Sequence, residues 1–129
     1  MEAHAALTAA IQADDRIRLA VIFGSAARGT SSSQSDLDVG VLGLPVRDIP
    51  KVAVQLSRLA KRELDLVDLA SAPPLLRVEI ARDGVLLFAR PAYLWSDFRG
   101  QALVDWWDWA PLARRFGAAA MARLDAGAR

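Results

Sequence analysis

Residues 17–23 read Ile-Arg-Leu-Ala-Val-Ile-Phe, a compact β-branched and apolar run that stops at Gly24, and the pattern predicts a buried strand. A serine-rich patch over 30–35 follows and reads as a flexible loop. Residues 36–42 then alternate strictly: Asp36 and Asp38 fall on one face, and Leu37, Val39 and Val41 on the other. Asp48 is placed to cap a helix running to about residue 62, with Pro50 in its first turn. Ile49, Val52, Ala53, Leu56, Leu59 and Ala60 form the apolar stripe of that helix. A third strand is expected over 64–69. A short helix begins after Ser71-Ala72-Pro73-Pro74 and ends at Gly84, and a fourth strand covers 85–89. From Pro91 onward the spacing is helical, with a break or bend at Pro111. This alternation defines an α/β (α+β) class: one small mixed β-sheet packed by helices, with a helical C-terminus.

The length of 129 residues suits a single domain, with a core over about 16–90 and C-terminal helices over about 92–126. The formal net charge of +1 argues against an extended nucleic-acid-coating surface, although a local basic site for a nucleotide phosphate is compatible with it. The absence of cysteine excludes disulfides and thiolate metal sites. The single histidine, His4, falls at a terminus expected to fray, which leaves little basis for histidine chemistry. No secretory signal pattern and no membrane-spanning apolar run are evident, so a cytoplasmic protein is expected.

Candidate chemistry concentrates in Gly24-Ser25-Ala26-Ala27-Arg28-Gly29 and Ser35-Asp36-Leu37-Asp38-Val39. A strand ending at glycine lets backbone approach a ligand. The Ser25 hydroxyl, the N–H groups of a helix start and the Arg28 guanidinium all suit phosphate oxygens. Such turns are common, so this segment alone is weak evidence. Two strand residues at i and i+2 lie about 6.6 Å apart and point the same way, so Asp36 and Asp38 can converge on Mg²⁺. The alternative is a solvated strand face, which aspartate disfavours and mutual repulsion penalises.

The spacing Gly24-Ser25, ten intervening residues, then Asp36-x-Asp38 resembles the signature of the DNA polymerase beta-like nucleotidyltransferase superfamily. Gly-Ser-x-Ala-Arg-Gly followed by Ser-Asp-Leu-Asp-Val is similar in particular to the minimal nucleotidyltransferases (MNT), a group that often serves as the antitoxin of a HEPN-domain toxin. The resemblance covers about 19–88. It implies a polymerase beta-like fold and makes Gly24 and Ser25 the triphosphate-holding loop, with Arg28 beside them. Asp36 and Asp38 become metal ligands, and a third carboxylate is implied on the next strand. Asp65 leads an Asp-Leu-Val segment of the family's kind, whereas Asp68 points to the opposite face and suits a strand end or turn. The implied reaction moves NMP, AMP from ATP, to a hydroxyl acceptor, with two Mg²⁺ ions accompanying the NTP. The acceptor that the resemblance suggests is a partner HEPN toxin. Alternatives are an antitoxin that acts by binding alone, with a vestigial site, and adenylylation of a small molecule such as an antibiotic.

Most of the aromatic residues follow residue 91. Phe98, Ala102, Trp106 and Trp109 share helical spacing and read as core. Trp95 and Trp107 cannot both share that stripe, so some indole is expected to be exposed; core packing is the first reading of these residues, a protein-partner surface the second and base stacking the third.

Overall fold

The apolar runs and the alternating segment become four strands: β1 (Leu19–Phe23), β2 (Leu37–Leu42), β3 (Leu64–Asp68) and β4 (Val85–Ala89). The computed structural model describes the backbone of residues 2–24, 27 and 36–128, and the side chains of 5–24, 27 and 36–111. The serine-rich patch, Ser25, Arg28 and Gly29 lie outside the described residues. The strands form one sheet in the order β3-β2-β1-β4, with β1 antiparallel to both β2 and β4 and with β2 parallel to β3. A parallel pair needs a crossover, supplied here by a short 3₁₀ turn (Val46–Asp48) and helix α2 (Ile49–Ala60).

Period two decides which helices cover which face. Ala20, Ile22, Leu37, Val39, Val41, Leu64 and Phe88 point into a core shared with Leu7 and Ile11 of helix α1 (Glu2–Gln12) and with Val52, Leu56 and Ala60 of α2. Leu19, Val21 and Leu69 point the other way, onto Ile80 and Ala81 of α3 (Pro74–Asp83) and Phe98 and Ala102 of α4 (Tyr93–Ala128). Each fully buried large side chain contributes roughly 1.5–3 kcal/mol. Gly84, at the α3–β4 turn, is where a Cβ would meet the Ile80 carbonyl and the Val21 side chain, so its bareness lets the end of α3 sit against β1.

Several local expectations are corrected. Residues 2–12 form a helix that seats Leu7 and Ile11 in the core; His4 belongs to it. Asp48 makes no side-chain cap for α2; its carboxylate pairs with Arg16 at 2.8 Å, while Arg16 also binds Asp14 and holds that carboxyl below its usual pKa. Leu59 is 51% exposed, so the stripe of α2 is narrower than its spacing suggested. Helix α4 runs on through Pro111, so the proline does not break it. Phe98 and Ala102 are buried, but Trp106 and Trp109 are half-buried and pack on one another, with ring centroids 5.2 Å apart. Of the two tryptophans off that stripe, Trp95 stacks on Phe98 and packs against the core, whereas Trp107 is 76% exposed.

One side chain fastens α1 to the sheet. The Arg90 guanidinium, at the end of β4, donates to the carbonyls of Gln12, Asp14 and Ile17, each at 2.8 Å, and lies over the Phe88 ring. Arg90→Ala strands three carbonyls, one of them at the end of α1, and is expected to cost about 2–4 kcal/mol in chemical denaturation. Arg90→Lys should recover little, because an ammonium lacks the planar fork that reaches several acceptors.

Candidate active site

The open end of the sheet is set by two registers that meet at Asp38. Across β1 its Cα partner is Phe23, and across β3 it is Asp65. Laterally paired residues project to the same side, so Asp38 and Asp65 share a face on strands about 4.8 Å apart. That face is the one covered by α3 and α4, and α3 leaves the strand ends open as a cleft of about 530 Å³. Phe23, Gly24, Asp38, Asp65, Leu66 and Val67 line it from the sheet, and Leu76, Glu79, Ile80, Arg82 and Asp83 from α3.

Gly24 terminates β1 with φ of 74°, in the left-handed region where a side chain is strained. A Cβ there would run into the Asp38 carboxylate. The turn after β1 therefore brings its backbone against the Asp38 carboxylate, and the left-handed φ is what calls for glycine there. Ser25 and Arg28, expected beside it, lie outside the described residues. Asp36 is exposed one residue before β2 and does not line the cleft. Asp68 pairs with Val41, and its carboxylate is engaged elsewhere: it accepts from Ser71 Oγ at 3.0 Å and from the Ala70 N–H at 3.3 Å, which closes the turn after β3.

Sequence reasoning did not single out the contribution of α3. Its apolar and charged residues are mixed around the helix, so no stripe marked Glu79, Arg82 and Asp83 as cleft residues. Arg82 donates through Nε and Nη2 to Asp83 Oδ2 at 3.2 and 3.0 Å, and this bonding raises its pKa above the ordinary value. Among the described residues, no three Asp, Glu, His or Cys side chains are gathered closely enough to hold a metal ion. The donors at the cleft are hard carboxylate oxygens, the kind that bind Mg²⁺ together with substrate phosphates and water. No described helix is long and apolar enough to cross a membrane.

This arrangement, a strand–glycine turn against paired carboxylates at the end of a mixed sheet, is that of a nucleotidyltransferase. The family model for "Polymerase beta, Nucleotidyltransferase" matches residues 6–92, and the chain belongs to that family. No curated protein matches the sequence at a significant level. Among solved structures, a chain of a toxin–antitoxin crystal structure with AMP-PNP superposes with a TM-score of 0.68 at 22% identity, covering 91% of this chain and 98% of that one. A chain of the MntA–HepT toxin–antitoxin structure gives 0.67 at 18% identity, with the same coverage of 91% and 98%. A third, from the tri-AMPylated Shewanella oneidensis HEPN toxin in complex with MNT antitoxin, gives 0.63 at 19% identity, covering 89% and 99%. At these identities the likeness is one of fold.

The face on which each β3 carboxylate lies makes opposite demands on two conservative substitutions. If Asp65 serves nucleotidyl transfer, Asp65→Asn should lower its rate at saturating nucleotide at least about a hundredfold, or 2.7 kcal/mol, with little change in nucleotide affinity. Asp68→Asn should stay within about threefold of the parent while loosening the turn at Ser71. An inactive Asp68→Asn beside an active Asp65→Asn would assign the chemistry to the wrong face of β3.

Proposed function

We infer that this protein transfers AMP from ATP to a hydroxyl group of a partner HEPN-type toxin, and that this modification is its antitoxin activity. The observation that carries the reading is the cleft where Asp38 and Asp65 stand side by side beneath the Gly24 turn, in a chain of the nucleotidyltransferase family. Gly24, Ser25 and Arg28 would hold the triphosphate: Gly24 by bare backbone, Ser25 by its hydroxyl and Arg28 by a bidentate guanidinium. Asp36, Asp38 and Asp65 would hold Mg²⁺. Two such ions, bound with the nucleotide, supply charge neutralisation at the α-phosphoryl and the departing pyrophosphate.

The remaining work falls to the protein's own groups. The Gly24 turn fixes the phosphate chain over the end of β2, so that the α-phosphorus faces the cleft. Asp65, on the outer strand, accepts the proton of the acceptor hydroxyl as its oxygen bonds to phosphorus and the bond to the β-phosphate oxygen breaks. Positioning and charge compensation carry such a transfer, so histidine is not needed.

The partner assignment draws on two supports. Structural neighbours of the same fold are toxin–antitoxin complexes, one with AMP-PNP and one with a tri-AMPylated HEPN toxin. On the chain itself, Leu103, Val104 and Trp107 are exposed on one side of α4, where helical spacing brings them together. Contiguous exposed apolar surface marks a partner site more often than a solvent face.

Thermal shift with Mg²⁺, ATP or both tests the site. Mg²⁺ alone should bind weakly and ATP should tighten it, giving a shift larger than the sum; additive or absent shifts contradict the reading. The Asp36→Asn/Asp38→Asn double variant should lose transfer and synergy, while its stability without ligand stays equal or rises through relief of like-charge repulsion. The α4 surface has its own test. Trp107→Ala should weaken toxin binding tenfold or more at unchanged melting temperature, whereas truncation of a core tryptophan would cost about 3–5 kcal/mol.

A further inference from the structure

We propose that Arg82, at the end of α3, is a further phosphate-contacting residue of the nucleotide site, beside Gly24, Ser25 and Arg28, and sets its preference for a triphosphate over a monophosphate. This rests on the nucleotidyltransferase reading and adds a residue to it. Val85, three positions later, pairs with Ile22 on β1, next to Phe23 and Gly24, so the chain topology brings the end of α3 beside the Gly24 turn. Gly84 fixes this approach by letting the helix end rest on Val21 and the Ile80 carbonyl. Arg82 and Gly24 line the same cleft.

Charge makes the residue informative. Asp38, Asp65, Glu79 and Asp83 line the described cleft, and Arg82 is the one cation among its described lining residues. A nucleoside triphosphate brings several more negative charges into this surrounding, and the cleft needs fixed positive charge at the phosphate chain as well as metal. Arg82 carries that charge permanently. Its bonds to Asp83 use Nε and Nη2, and the remaining N–H groups of its fork suit two phosphate oxygens at once. With Arg82 70% exposed, the Arg82–Asp83 pair is a surface pair, weak enough for a phosphate to share or replace it.

Calorimetric titration of the full-length chain with ATP, ADP and AMP at fixed Mg²⁺ tests the proposal. Arg82→Gln should lower ATP affinity about tenfold or more, lower AMP affinity no more than about twofold, and so flatten the ATP-over-AMP preference. Arg82→Lys should restore part of that preference, because it keeps the charge and loses the fork. Equal losses for ATP and AMP, or an ATP affinity equal to the parent's, would overturn the assignment of Arg82 while leaving the nucleotidyltransferase reading intact. A parent protein that binds no ATP would overturn that reading and this proposal together.

Discussion

Asp38 stands where an antiparallel register with Phe23 meets a parallel register with Asp65, and the candidate site depends on both holding. A slip of one residue in either pairing would turn a carboxylate into the α1–α2 core and a valine or leucine out to the cleft. Side-chain packing keeps the registers in place. Leu37, Val39 and Val41 are fully or almost fully buried on one face, and Gly40 on the other leaves the space that Leu69 fills. The same apolar contacts that fold the sheet thus fix where its acidic residues emerge.

Two carboxylates side by side repel one another, and the sheet ends in a turn that presses backbone onto one of them. Cations and phosphates sharing the space, as the proposed function requires, would offset that repulsion. The cleft is placed to admit them. Helices α3 and α4 cover Leu19, Val21 and Leu69, and they stop short of the strand ends that carry Phe23, Asp38 and Asp65. Arg77 joins these layers: it donates to the Leu69 carbonyl at 3.0 Å and lies over the Phe98 ring of α4. The Arg77 side chain thus links α4 to the turn that follows β3.

Much of this was legible in the chain. The strict alternation around Asp36 and Asp38 gave the face of β2, because burial on one side of a sheet leaves a period-two record. Alternation likewise separated Asp65 from Asp68. The bare backbone at Gly24 was suggested by a strand ending in glycine, while its left-handed φ and its contact with Asp38 needed the structure. The signal failed where periodicity was faint or where tertiary contacts overrode local preference. Helix α1 is alanine-rich and buries two large side chains, Leu7 and Ile11, too few to stand out as a stripe. Asp48 had the chemistry of a helix cap, but Arg16, distant in sequence, took its carboxylate. Trp95 joined the core because its ring stacks on Phe98, a contact that spacing on an isolated helix does not reveal. Glu79, Arg82 and Asp83 escaped notice because their role arises from where α3 crosses the sheet end.

Covalent transfer of a nucleotide to a partner and neutralisation by contact alone leave different marks on the toxin. The direct measurement incubates this protein with the proposed HEPN-type toxin and Mg²⁺, using ATP labelled at the α-phosphate in one reaction and at the γ-phosphate in another. Covalent transfer predicts that the toxin retains the α-label and not the γ-label after denaturing electrophoresis, and that pyrophosphate is released. A toxin that is silenced yet carries neither label, or that carries the γ-label, would contradict it.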